Sequence, residues 1–251
     1  MMRLFAVLLA VLLLPPARAE ELRLLAAELP PYSFRVPSGS VSEFPGPGRG
    51  IVFDVVTALA QRVGQRAVIE FMPWHRAQQI AMSEPDVGIL ALTRTPEREA
   101  LFKWVGPVGA AEWILYGSAE RGLKLQNIEE ARSLLIGTYN GDARDEYFRS
   151  RGFRVESVSD DLSNPRKLLL NRIDLWAASL VRGALLISQN GWSEQIVPVL
   201  SFHKVDLYVA CNPSVPTPLI DKLNATLQGM VRDGTTRTLE KKYARWPLPP
   251  N

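Results

Sequence analysis

Residues 87–99 read Val87-Gly-Ile-Leu-Ala-Leu-Thr93-Arg-Thr-Pro-Glu-Arg98-Glu99. Val87 to Leu92 is an unbroken apolar run of strand length, the pattern of a strand covered on both faces. Thr95-Pro96 reads as a helix start, with Thr95 as cap and Pro96 at the first helical position, where its missing N–H costs nothing. A buried strand that turns at once into a helix is the repeating unit of an α/β fold.

The same alternation extends in both directions. Upstream, Leu22 to Ala27 is a strand, Asp54 caps a helix that Gly64 ends, Ala67 to Met72 is a strand, and Arg76 to Met82 is a short helix. Between them, 37–50 is a loop rich in Gly, Pro and Ser. Downstream, Trp113 to Gly117 is a strand, after which a second block begins. Its strands are Leu134–Tyr139, Phe153–Val158, Ile173–Ser179 and Gln195–Leu200. Its helices run from Gly141-Asp142 to about Ser150, over Asp161–Asn171 and near Arg182–Ser188. Val205 to Cys211 is a further apolar strand, followed by a helix after Thr217-Pro218 that stops at Gly234, and a last helix holding Leu239 and Tyr243. No linker of low complexity separates the blocks, so a chain passing between two lobes does so through ordered strands.

The first 19 residues, MMRLFAVLLAVLLLPPARA, pair a basic Arg3 with an apolar run from Leu4 to Leu14 and end Ala17-Arg18-Ala19. The run is shorter than the roughly 20 apolar residues that cross a bilayer. Small residues at its end suit a signal peptidase, so cleavage after Ala19 and export to the periplasm are expected. Composition is that of a globular chain, 47% hydrophobic and 22% charged. The 29 basic residues exceed 26 acidic ones, but Arg3 and Arg18 lie in the leading segment. The nearly neutral remainder gives no support to nucleic-acid binding. Cys211, the one cysteine, sits in an apolar run and reads as buried and inert. His75 and His203 lack ligands at metal spacing, so no metal site is expected, and no nucleotide-binding or nucleophile motif is present.

Three segments have the character of binding surfaces. In Leu92–Glu99, Thr93 offers a hydroxyl, and Arg98 either forks onto a carboxylate beside a helix N-terminus or pairs in solvent with Glu97 or Glu99. In Phe71–Gln78, Trp74 is either the wall of an apolar pocket or core. In Ile136–Tyr147 a strand meets a helix start, with Asp142 as cap and Tyr139, Asn140 and Arg144 open to either role.

At these residues the chain resembles the family 3 periplasmic solute-binding proteins, known for amino-acid uptake by ABC transporters. Glu28-Leu29-Pro30-Pro31-Tyr32 looks like the family's opening pocket loop, and Gly50-Ile-Val-Phe-Asp54-Val-Val56 like its G-F-D-x-D helix start. Pro85-Asp86-Val87-Gly88 is similar to its G-x-x-D step, and Thr93–Arg98 to its T-P-E-R signature. Asn171-Arg172-Ile173-Asp174-Leu175 resembles G-R-x-D-A. The stretch from Asp233-Gly234-Thr235 to Trp246 resembles the D-G-T…K-x-Y-x-x-W close. Pro73-Trp74-His75-Arg76-Ala77 resembles a P-W-x-R-A subgroup.

The resemblance implies an α/β, two-lobed periplasmic binding protein fold of type II with two hinge strands. Lobe 1 would take 20–115 and 205–251, lobe 2 would take 116–204, and the hinges would lie near Trp113–Gly117 and Val205–Cys211. It assigns the solute's α-carboxylate to Arg98, with Thr93 as hydroxyl partner. Where the family carries an acidic acceptor for the amino group, this chain has Ser179, and where it carries pocket hydroxyls before Thr93 it has Leu90 and Ala91. The implied protein is a monomer without cofactor that captures a small carboxylate-bearing solute for an ABC permease complex in the inner membrane. Tyr32, Trp74, Thr93, Arg98, Tyr139, Asn140, Arg144 and Ser179 are its candidate ligand contacts. Two alternatives share the fold: a sensory binding protein without transport, and an exported dehydratase, whose general acid would be Glu28, Asp142 or Asp174.

Overall fold

Leu22, Leu24 and Ala26 of β1 (Glu21–Ala26) face one apolar cluster and Leu25 faces another, so this strand is covered on both sides. The computed structural model describes residues 21–36, 48–160 and 162–243. The leading segment Met1–Ala19, most of the Gly/Pro/Ser-rich loop and Trp246 lie outside the described residues.

Beyond β1, the strands are β2 (Phe34–Arg35), β3 (Gly48–Arg49), β4 (Arg66–Phe71), β5 (Val87–Thr93) and β6 (Lys103–Ser118). They continue with β7 (Leu135–Tyr139), β8 (Arg154–Val158), β9 (Leu175–Ser179) and β10 (Ile196–Cys211). The α-helices are α1 (Ile51–Val63), α2 (Trp74–Ser83), α3 (Ala143–Ser150), α4 (Ser163–Leu169), α5 (Leu180–Gln189), α6 (Thr217–Arg232) and α7 (Thr235–Lys241). The main sheet has eight strands in the order β4-β1-β5-β10-β6-β9-β7-β8. β1 runs parallel to β4 and β5, and β7 parallel to β8 and β9, while β6 and β10 pair antiparallel between these two units. The result is a two-lobed α/β fold. The first lobe packs α1, α2, α6 and α7 around the β1 unit, and the second packs α3, α4 and α5 around the β7 unit.

All seven residues of β5 are buried, which accounts for the continuous apolar run in the sequence. Phe53, Leu59, Leu24, Ile89 and Leu90 are at most 1% exposed. Each such side chain stabilises the fold by about 1.5–3 kcal/mol through burial. Gly64 ends α1 in the left-handed conformation at φ 76°, the αL cap that glycine adopts without a steric cost.

Several expectations are corrected. The strands read at Gln195–Leu200 and Val205–Cys211 are one strand, β10, and the strand at Trp113–Gly117 is the end of the longer β6. Register shifts at Pro198/Leu200, Ser201/His203 and Leu207/Val209 let this long pair bend without breaking. Asp54 is not the cap of α1: Gly50 occupies that position, and Asp54 lies in the first turn, buried, accepting from the Tyr243 hydroxyl at 2.7 Å. The Gly50 N–H in turn donates to the same hydroxyl at 2.9 Å. No α-helix starts at Thr95-Pro96; Arg98 instead flanks a short 3-10 turn, Glu99–Leu101. The physical reason is connection length, because Phe102 is already buried and Lys103 is already paired with Cys211 in the sheet.

Candidate functional site

A cavity of ≈ 70 Å³ lies between the lobes, where β5, β6 and β9 end or cross. Tyr32, Trp74, Thr93 and Arg98 border it from the first lobe, and Tyr139, Arg144 and Ser179 from the second. Seven of the eight expected contact residues are therefore brought together. Asn140 is not: it stands in the turn after β7, exposed, and does not border the cavity.

Arg98 is 2% exposed. It is neither solvated nor paired with Glu97 or Glu99; Glu99 is held by Arg94 instead, at 2.7 Å from Nε. The Arg98 fork grips Glu146 of α3, Nε to Oε2 at 3.0 Å and Nη2 to Oε1 at 2.6 Å. Nη2 also donates to the Gly141 carbonyl at 3.1 Å. Nη1 is buried and has no partner among the described residues. A buried cationic donor left unsatisfied costs more than an ordinary hydrogen bond gains. Only a 3-10 turn follows Thr95, so this segment sets no α-helix N-terminus beside Arg98.

Trp74 unites its two readings. Its ring packs with Leu25 and Ala77 in the first-lobe core, and its Nε1 donates across the cleft to the Gly141 carbonyl at 3.1 Å. Thr93 ends β5 at the cavity, two residues after Ala91, which lines the floor at φ 59°. A non-glycine residue in that region is strained and marks a position fixed by its surroundings. Tyr32 is buried, and burial raises its hydroxyl above the ordinary tyrosine range against the pull of Arg144 and Ser179. Ser179 ends β9 opposite Trp113 and does not use its side chain to cap α5.

Asp142 caps α3 as expected, accepting the Arg144 N–H at 2.8 Å. The Arg144 guanidinium also grips both its oxygens at 2.7 Å. Burial alone would raise this carboxyl, but Arg144, with help from Arg98, holds it below the usual carboxylate range. Asp174 stands outside the cavity, accepting the Leu135 N–H at 2.6 Å and bonded to Arg121. Glu28 accepts from the Arg35 backbone at 3.2 Å and likewise does not border the cavity.

Four participants were missed in the sequence. Trp113 and Trp176 are buried and border the cavity from β6 and β9, Arg182 borders it from α5, and Glu146 supplies the partner of Arg98. Trp113 and Trp176 lie in strands that were recognised, and only the strand's facing could have assigned them.

A sequence model of the bacterial extracellular solute-binding proteins, family 3, matches residues 24–245. The chain belongs to that family. No curated protein sequence matches it. Solved structures of similar fold include a histidine kinase sensor domain with similarity to periplasmic binding proteins, 15% identical with a TM-score of 0.78, covering 90% of this chain and 97% of that one. An ancestral arginine-binding protein bound to arginine is 19% identical, TM-score 0.73, covering 90% and 99%. An ancestral amino acid-binding protein, a precursor of cyclohexadienyl dehydratase, is 17% identical, TM-score 0.70, covering 89% and 95%. These likenesses establish the two-lobed periplasmic binding protein fold of this family 3 chain.

Proposed function

We propose that this family 3 protein captures a small carboxylate-bearing solute between its lobes, with Arg98 as the carboxylate anchor, and passes it to an ABC importer after export. The observation that carries the reading is Arg98 itself: a buried guanidinium that borders the interlobe cavity, with Nη1 unpartnered among the described residues. Lobe 1 is taken as 20–115 with 205–251 and lobe 2 as 116–204. Residues 1–19 are taken as a signal peptide removed in the periplasm, and the working unit as a monomer.

Thr93 and Ser179 supply hydroxyls and Tyr32, Trp74 and Tyr139 supply apolar walls with polar edges, the usual make-up of a solute site. Ser179 at the family's amino-group position offers no negative charge. Asp142, the acidic residue bordering the cavity, is neutralised by Arg144. A solute ammonium therefore gains little, which favours an organic acid or an amino-acid derivative over a free α-amino acid.

Of the enzymic candidates, a general acid must hold a proton near neutral pH. Asp142 and Asp174 are both held below the usual carboxylate range, and Glu28 is tied to Arg35 away from the cavity. The binding reading is favoured on that ground. The test is native mass spectrometry of the purified protein: a retained small acid that is released unchanged supports the reading, and turnover of a supplied prephenate-like acid contradicts it.

A further inference from the structure

The Arg98 fork points at a carboxylate that the protein itself provides. Arg98 belongs to the first lobe and Glu146 to the second, 48 residues along the chain. The two contacts, at 3.0 and 2.6 Å, form the bidentate geometry that arginine offers to any carboxylate. The Arg98 side chain is 3% exposed, whereas Glu146 is 34% exposed. The anchor is thus fixed in the wall, and its partner sits at the rim.

We propose that Glu146 is a competing carboxylate built into the site: a solute carboxylate takes the Arg98 fork only by displacing it, and this displacement sets which solutes are accepted. The inference rests on the assignment of Arg98 as the anchor.

The donors decide the first step. With Nε and Nη2 occupied by Glu146, Nη1 is the guanidinium nitrogen left without a partner among the described residues. A contact to that nitrogen alone sets two carboxylates beside one guanidinium, and like charges at that range oppose each other. The entering group gains the fork when Glu146 leaves it.

Glu146 has room to leave. A second cavity, ≈ 170 Å³, is bordered by Glu146, Tyr147, Arg151 and His203 and shares Thr93, Trp113 and Ala143 with the first. The Arg98–Glu146 pair stands between the two spaces. The Arg151 guanidinium lies over the Tyr147 ring, 3.9 Å from its centroid, and offers a displaced carboxylate a cationic neighbour. Withdrawal of Glu146 would join the two cavities, so the accepted solute is larger than the first cavity by itself suggests.

Displacement carries the same cost for every solute. A carboxylate with no other contacts is rejected by it, while one whose body also meets Trp113, Trp176 or Ser179 offsets it. The ion pair then acts as a threshold that discriminates against the simplest acids.

Propionate, a carboxylate with little else to offer, is the probe. Wild type, Glu146→Ala and Glu146→Gln are unfolded, washed free of retained solute, refolded, and titrated with sodium propionate at constant ionic strength. Binding is followed by tryptophan fluorescence and folding by circular dichroism. The expected result is at least tenfold tighter binding to Glu146→Ala than to wild type, with Glu146→Gln between them, and loss of the gain in Arg98→Ala/Glu146→Ala. Should Glu146→Ala fail to refold, Glu146→Gln against wild type carries the comparison. Equal or weaker binding by the variants, with Arg98→Ala still abolishing it, overturns the inference and leaves the proposed function standing. Propionate bound by none of the proteins overturns the inference, because removal of Glu146 then admits no simple carboxylate.

Discussion

Trp74 and Gly141 meet across the cleft, the indole Nε1 donating to the glycine carbonyl at 3.1 Å. Trp74 opens α2 in the first lobe, and Gly141 forms the turn before α3 in the second. Gly141 has φ 73°, and a Cβ there would lie 2.9 Å from Gln78 Oε1. Both the turn and the approach of the lobes therefore call for glycine. Gly141→Ala should cost about 1 kcal/mol or more in thermal stability and should weaken solute binding, because the turn can no longer reach the first lobe. Circular dichroism melting and calorimetry separate the two effects; unchanged affinity would show that this contact does not contribute to closure.

Tyr243 ties the end of the described chain to its first helix. Its hydroxyl donates to Asp54 at 2.7 Å and accepts from Gly50 at 2.9 Å. Tyr243→Phe removes both of these hydrogen bonds in a buried setting. The expected loss is about 1–3 kcal/mol in urea unfolding, with solute affinity retained because the site lies elsewhere. A variant as stable as wild type would contradict the accounting.

Asp174 gives the fold an acid sensitivity. Burial pushes its carboxyl up, but the Leu135 N–H and Arg121 outweigh this and hold it below the ordinary aspartate value of 3.8. A group whose folded value is depressed stabilises the native state above its unfolded value, and that contribution is lost as pH falls through the folded one. The melting temperature of the wild type should therefore decline below about pH 4, and more gently in Asp174→Asn. The residual decline belongs to the other depressed carboxyls: Glu97, Glu99, Asp142 and Asp233, the last depressed to about 2. Identical slopes in the two proteins would rule out Asp174 as a source.

Cys211 is fully buried in the first-lobe core, and burial pushes its thiol up to about 12. The thiolate is the reactive form, so the native protein should resist a disulfide reagent near pH 8. One thiol should appear on addition of denaturant. Rapid labelling of the native protein would mean that the β10 end opens readily.

What the sequence revealed was local. The apolar run of β5, the cap at Asp142 and the left-handed stop at Gly64 are each decided by neighbours along the chain, and each stands in the structure. Thr95-Pro96 carried the residues of a helix start, but whether a helix follows depends on where the next strand must begin, and Lys103 begins it too soon. Strand β10 was divided in two because the polar residues His203 and Lys204, both exposed, interrupt its apolar pattern. Of the seven candidate contacts that border the cavity, Trp74, Thr93, Arg98, Tyr139 and Arg144 were legible in their own segments, and Tyr32 and Ser179 only through the resemblance to family 3. Asn140 does not border the cavity, and strand alternation could not foretell this, because it stands in the turn after β7. Glu146 could not be read at all, since its role is set by a guanidinium 48 residues away on the other lobe.

Arg98 is the proposed anchor of a solute carboxylate between the lobes. Calorimetric titration of solute-free wild type and Arg98→Ala with a panel of organic acids, amino acids and amines tests it most directly. At least one carboxylate should bind wild type, uncharged and purely cationic analogues should not, and Arg98→Ala should lose this binding while melting as a folded protein. Equal affinity in Arg98→Ala, or a wild type that binds amines and no acid, would contradict it.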